Sequence, residues 1–157
     1  MKYIRRKISP KGCIFCDAVK IDGGDEDLII TRGKHAFVIM NRYPYTSGHI
    51  MIVPFDHIGK FEDMDQSTCT EVMCLIQQGI IALEKVYQPQ GYNMGANLGA
   101  SAGAGIEDHI HFHLVPRWGG DTNFMTSVGG TRVLPEDLFE TLNRLKDAWP
   151  KESNFNK

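Results

Sequence analysis

The densest chemistry in the chain is His109-Ile110-His111-Phe112-His113-Leu114-Val115-Pro116, three histidines at alternate positions with apolar residues in every gap. Unperturbed imidazole titrates near neutral pH, so each ring is available as nucleophile, base, acid or metal ligand. Alternate residues of a strand share a face. An extended segment therefore displays all three rings together and turns Ile110, Phe112 and Leu114 the other way. A rise of about 3.3 Å per residue spreads the rings over about 13 Å. A helix would scatter them over roughly 200° of arc. The β-branched and aromatic spacers favour the strand, with Pro116 expected to end it. The plain alternative is a solvated strand face. It accounts poorly for three of the chain's six histidines standing at strict alternation.

Other residues offer further chemistry. Cys13-Ile14-Phe15-Cys16 is a C-x-x-C pair, which supplies half of a tetrahedral metal site. Two alternatives stand beside it: a thioredoxin-type redox pair, although no strand precedes Cys13, and two packed thiols. The segment Gly99 to Gly105 holds three glycines, three alanines and Ser101. Such a loop lets backbone N–H groups approach a phosphate, while a flexible linker would look similar. Asn41 stands at the exit of an apolar strand, where an amide can bond ribose hydroxyls or simply make a turn. Arg117 follows Pro116 and either binds phosphate or pairs on the surface.

The elements that carry these residues are legible. Leu28–Arg32 and Ala36–Met40 read as strands joined by the hairpin-length turn Gly33-Lys34-His35, in which His35 is a surface residue. His49 to Val53 reads as a third strand closed by Pro54, with His49, Met51 and Val53 on one face. Val72, Ile76, Ile80, Leu83 and Tyr87 form an apolar stripe on a helix from Asp65 to Gln88, capped by Asp65 or Ser67 and stopped by Pro89. Cys69 and Cys74 on that helix are expected to pack as small hydrophobes. Gly91 to Asn97 reads as a fourth strand. A last helix starts near Pro135 and buries Leu138, Leu142, Leu145 and Trp149. Strands meandering around one long helix give an α+β fold, mainly antiparallel.

His-φ-His-φ-His-φ-φ, with φ apolar, is the signature of the histidine triad family of nucleotide hydrolases and transferases, and this chain resembles that family beyond the triad. Gly48-His49-Ile50-Met51-Ile52-Val53-Pro54 is similar to its Gly-His strand. Asn41-Arg42-Tyr43-Pro44 is similar to its ribose-contacting turn, and Cys13 to Cys16 to the cysteine pair of its zinc-bearing members. The segments 97–108 and 118–124 resemble a branch similar to diadenosine tetraphosphate phosphorylases.

The resemblance implies a set of roles. His111 is the nucleophile that attacks an α-phosphorus, His113 stabilises the phosphate oxygens, and His49 joins the same cluster. Zinc is held by Cys13, Cys16, His57 and His109. Asn41 meets the ribose. Read from the residues themselves, apolar Phe15, Ile39 and Ile50 are the expected walls of the base, and Gly99, Gly103 and Gly105 the expected cradle for phosphate. Family members often carry Gly-Gln-Ser before the triad, where this chain has Gly103 to Asp108, so Ser101 and Asn97 are the polar substitutes. A homodimer is implied, or a tetramer where extra terminal segments help assembly.

Composition narrows the field. The chain has 157 residues, 42% hydrophobic and 23% charged, as expected of one globular domain with an N-terminal arm over 1–12 and a tail over 151–157. A net charge of −2 supplies no global attraction for nucleic acid. No apolar run approaches the roughly 18 residues of a membrane span, and the basic start lacks a signal-peptide core, so the expected setting is cytoplasmic. The leading expectation is an enzyme that cleaves dinucleoside polyphosphates at the α-phosphate through a nucleotidyl-histidine. Phosphate is the expected acceptor, with water as the other choice. The alternatives are a hydrolase of nucleotide phosphoramidates, a non-catalytic nucleotide-binding sensor, and a metal-binding protein in which every histidine is a ligand.

Overall fold

The computed structural model describes residues 12–23, 27–121 and 136–151. The expected arm before Gly12, the tail after Lys151, the resemblance at Thr122 to Phe124 and the helix start at Pro135 lie outside the described residues. Five antiparallel strands form one sheet in the order β1-β2-β3-β5-β4: β1 Ile29–Arg32, β2 Ala36–Met40, β3 Ile50–Pro54, β4 Gly91–Gly95 and β5 Phe112–Arg117. Helices α1 (Ile14–Ala18), α2 (Gln66–Tyr87) and α3 (Leu138–Ala148) complete the α+β fold. No helix among the described residues is long and apolar enough to cross a membrane.

Register divides the sheet into two faces. Gly95, His113, Met51, Ile39 and Ile29 pair across the strands as one row, so they share a face. The neighbouring row, with Leu114, Ile50 and Met40, faces the other way. It packs on α2, where Gly79 leaves room for Ile50 and Leu114: a Cβ there would lie 3.0 Å from each. Ile50 is therefore a helix-facing core residue, not a base wall. The buried side of α2 is Thr68, Val72, Leu75, Ile76, Gly79, Ala82 and Leu83, with Ile80 and Tyr87 at its margin. Asp65 caps this helix by accepting from Thr68 N–H, and Gln88 ends it in the left-handed conformation before Pro89. In α3, Asp137 is the cap, and Leu142 and Leu145 are buried. Cys69 is half-buried but Cys74 is exposed, because it lies off the buried stripe.

Three expectations are corrected, the start of the triad strand and the places of Pro116 and Pro54. Regular pairing of the triad strand begins only at Phe112, opposite Ile52. Continuing that register would set Ile110 against Pro54, which has no N–H to donate and whose carbonyl is taken by the His109 ring. Pro116 does not end β5 but sits inside it, opposite Tyr92. The β3 ladder has stopped at Leu114 by then, so β5 has one strand neighbour there and tolerates a missing donor. Pro54 likewise belongs to β3, and β4 stops at Gly95, short of Asn97.

One carboxylate ties the β1–β2 hairpin to α2. Glu71 accepts from the backbone N–H groups of Lys34 (2.8 Å), His35 and Ala36 (2.8 Å). His35 is half-buried, its backbone held by this clamp.

Candidate active site and metal centre

Gly48 sets up the site. Its φ of +77° suits glycine, and a Cβ would strike Leu83 and Tyr87 at 2.7 and 3.0 Å. The chain thus turns tightly over the end of α2 and delivers His49, fully buried, to the sheet face that carries His113. Tyr45 N–H donates to His49 Nδ1 at 3.1 Å, so the ring proton of neutral His49 is on Nε2. That N–H donates to His113 Nδ1 at 2.9 Å. Neutral His113 therefore carries its own proton on Nε2.

His111 is held differently. Its Nδ1–H donates to the backbone carbonyl of His109 at 2.9 Å, which leaves the Nε2 lone pair unprotonated. Burial lowers the affinity of His111 for a second proton. Burial, and secondarily the neighbouring His111, bring His113 down to about 4. The His111 and His113 ring centres are 5.0 Å apart. The pair thus presents a nucleophilic nitrogen beside a neutral N–H donor, the combination that attack on an anionic phosphate requires.

His109 lies on the same side but does other work. Its Nε2–H donates to the Pro54 carbonyl at 2.9 Å, and its Nδ1 faces Cys13 Sγ at 3.2 Å and Cys16 Sγ at 3.6 Å. His57 Nδ1 is 3.4 Å from Cys16 Sγ. The four ligand atoms lie within 4.8 Å of one another. Metal–sulfur and metal–nitrogen bonds of about 2.3 and 2.0–2.1 Å give a tetrahedral edge of about 3.6 Å, close to these separations. Two thiols, two imidazoles and a carbonyl orienting one of them fit a tetrahedral metal ion. Cys13 caps α1 and Cys16 lies on it, so a single helical turn supplies both sulfurs. His57 meets His109 because Ile110 N–H donates to the Ile58 carbonyl, and a Cβ on Gly59 would be 2.9 Å from the Glu107 carbonyl.

The remaining candidates fall around this frame. Asn41 is buried beside His49, at 3.4 Å, and its Oδ1 accepts from Tyr43 N–H. Phe15 is buried against His109 and His111, with ring centres 5.4 and 4.9 Å apart. Ile39 shares the His113 row through Met51. The Gly99–Gly105 loop is mostly exposed and turns on itself: Ala102, Gly103 and Ala104 donate to the Gly99 and Ala100 carbonyls, so those amides face inward. Ser101 is exposed, and Asn97 braces the loop by donating to the Gly103 carbonyl at 3.4 Å. Arg117 is held by Asp121 in a two-bond pair and by Asn93. Sequence reading overlooked Tyr45 and the Pro54 carbonyl. Tyr45 had a faint signal, an aromatic residue four positions before the buried histidine.

Comparison with known proteins gives a consistent picture. The HIT domain model matches residues 23–120. The chain is 41% identical over 128 residues to the AP-4-A phosphorylase of Mycobacterium tuberculosis, covering 82% of this chain and 66% of that protein. It thus spans just under two thirds of that relative's length. It is 30% identical to the adenosine 5'-monophosphoramidase of Schizosaccharomyces pombe, over 80% of this chain and 90% of that protein. Among solved structures, a Zn-bound histidine triad family protein from Mycobacterium smegmatis superposes with a TM-score of 0.70 at 26% identity, covering 87% of this chain and 92% of that one.

Proposed function

This chain belongs to the HIT domain family, and from that premise we propose that it is an enzyme cleaving dinucleoside polyphosphates at the α-phosphate, by phosphorolysis. The observation that carries the reading is the His111 ring, its Nδ1–H tied to the His109 carbonyl and its Nε2 lone pair left available. Nε2 forms a bond to the α-phosphorus as the bond from phosphorus to the bridging oxygen breaks. His113 Nε2–H donates to the phosphate oxygens as charge moves onto them. Inorganic phosphate then attacks the nucleotidyl-His111, returns the imidazole and leaves with the nucleotide. The chain's 41% sequence identity to the mycobacterial AP-4-A phosphorylase supports both the substrate class and phosphate as acceptor. In this reading Asn41 contacts the ribose, Phe15 and Ile39 wall the base, and the 99–105 loop with Ser101 and Asn97 lies along the leaving phosphates. Arg117 reaches phosphate only by exchanging Asp121.

Incubation with diadenosine tetraphosphate, with and without inorganic phosphate, tests the reaction. ADP and ATP formed only when phosphate is present is the expected result; AMP and ATP formed without it would make the protein a hydrolase. A phosphoramidase is the second reading, favoured by the fission-yeast relative, which this chain matches over most of that protein's length. It predicts faster release of ammonia from adenosine 5'-phosphoramidate than of ADP from the dinucleotide.

Zinc is the proposed metal, held by Cys13, Cys16, His57 and His109. The Zn-bound mycobacterial neighbour supports this assignment. There the ion would brace α1 against the start of the triad segment. A reducing, cytoplasmic setting accords with two metal-binding thiols. We also propose a homodimer, because edge strand β4 exposes Met94 and α2 exposes Met73 and Ile81.

A further inference from the structure

His49 stands one residue before β3, outside the paired register of β3 and β5, which starts at Ile50 opposite Leu114. Its backbone groups are spent within the β2–β3 connection. The carbonyl accepts from Asn41 N–H at 3.1 Å, and the N–H donates to the Thr46 carbonyl at 3.2 Å. The second bond closes the turn Thr46-Ser47-Gly48-His49, with the positive φ of Gly48 at its third position, the form of a type II turn. Neither bond reaches β5, the strand that carries His113.

Thr46 supplies that tie. Its Oγ1–H donates to the Pro116 carbonyl of β5 at 2.9 Å. The geometry of β5 makes this carbonyl available. Successive carbonyls of a strand point to opposite edges. Arg117 gives its carbonyl to Gln90 N–H on the β4 side, so the Pro116 carbonyl points to the β3 side. Continuing the register from Ile50 and Leu114 would set Gly48 opposite Pro116, but Gly48 belongs to the turn. Pro116 is buried, and a buried carbonyl without a donor is costly. The Thr46 hydroxyl replaces the ladder bond that the turn gives up. One residue thus holds His49 through its carbonyl and β5 through its side chain.

We propose that Thr46 is a positioning residue, whose hydroxyl locks the turn carrying His49 onto β5 and so keeps His49 Nε2–H on His113 Nδ1. Its effect on turnover rests on the function proposed above, whereas the hydrogen bond it protects is present without substrate. A displacement of about 1 Å can cost on the order of 10²-fold in rate. Loss of this tie, with the Asn41 bond to His49 kept, is expected to cost about tenfold.

The test compares wild type with Thr46→Val, which keeps the shape and removes the hydroxyl, and Thr46→Ser, which restores it. With diadenosine tetraphosphate and inorganic phosphate, kcat is expected to fall about tenfold in Thr46→Val while KM stays within about twofold. It should recover in Thr46→Ser. In a His49→Ala background, Thr46→Val should add no further loss. Nitrogen NMR of isotope-labelled protein, recorded without substrate, reads the ring tautomers. His113 should be protonated at Nε2 in wild type and Thr46→Ser, and divided between its two nitrogens in Thr46→Val. An unchanged kcat in Thr46→Val, equal losses in the Val and Ser variants, a full additional loss in the His49→Ala background, or one His113 tautomer in all three proteins would overturn the proposal. Divided His113 tautomers in Thr46→Val, in a protein whose wild type cleaves neither the dinucleotide nor adenosine 5'-phosphoramidate, would sink the proposed reaction and uphold the positioning role.

Discussion

His49 Nε2 and His113 Nδ1 are 2.9 Å apart, and the Tyr45 N–H behind His49 decides which of them holds the proton. The relay runs one way, from backbone amide through His49 to His113, and ends in an N–H at His113 Nε2. A side chain on one strand thereby sets the protonation pattern of a side chain on another. His49→Ala removes that control while leaving His111 and its carbonyl partner in place. A loss in kcat on the order of 10²-fold is expected, with a smaller change in KM. Steady-state kinetics check it, and an unchanged kcat would remove the relay.

His111→Ala should lower turnover on the order of 10³-fold or more, because no other ring nitrogen is placed to form the covalent bond. Nucleotide binding should persist, measured by calorimetry. Acid-quenched wild type incubated with labelled dinucleotide should retain label on the protein, and the variant should not.

Protonation gives a pH signature. An unfolded histidine titrates near 6.5, while folded His113 titrates at about 4 under burial and the influence of His111. Between those values the unfolded chain binds more protons, so the His113 contribution is complete above about pH 6.5 and is lost as pH falls towards 4. The gap between the denaturation midpoints of wild type and His113→Gln should therefore shift against wild type from pH 6.5 to 4.5. Parallel profiles would contradict this. For the same reason the acid limb of kcat/KM should lie below pH 6.5.

Metal analysis of the native protein should find about one zinc per chain, lost in the Cys13→Ser, Cys16→Ser double variant. Because the ligands come from α1, the 55–60 segment and the triad segment, metal loss should lower Tm by at least about 5 °C. A native protein free of metal would refute the assignment.

Glu71 accepts three successive backbone N–H groups, those of Lys34, His35 and Ala36 in the β1–β2 turn, and none of these bonds involves the triad or His49. Glu71→Ala strands those donors, with an expected loss of about 2–3 kcal/mol, or about 5–10 °C in Tm. Thermal melts measure it, and kcat should stay near the wild-type value. A variant as stable as wild type would show that water replaces the carboxylate without loss.

The sequence by itself determined what repeats over short distances. The period of α2, the hairpin turn and the C-x-x-C spacing are local patterns, and local backbone geometry turns each into a helix or turn, whereas of the alternating histidines only His113 lies in the regular strand. Its resemblance to a family also named His57 and His109 as partners of the cysteines, which spacing could not, since they lie 41 and 93 residues from Cys16. Tertiary structure alone decided the rest. It stopped the β3–β5 ladder at Phe112, because Pro54 faces Ile110 and gives its carbonyl to a side chain. It set His109 against the two thiols and His111 beside His113, a division that the family resemblance had implied and that spacing could not give. It also assigned their protons, because a ring's tautomer follows from whichever donor or carbonyl the folded chain brings to it. His49 and His113, 64 residues apart, share a hydrogen bond only because β3 and β5 pair side by side and the turn at Gly48 brings His49 to the sheet face that carries His113.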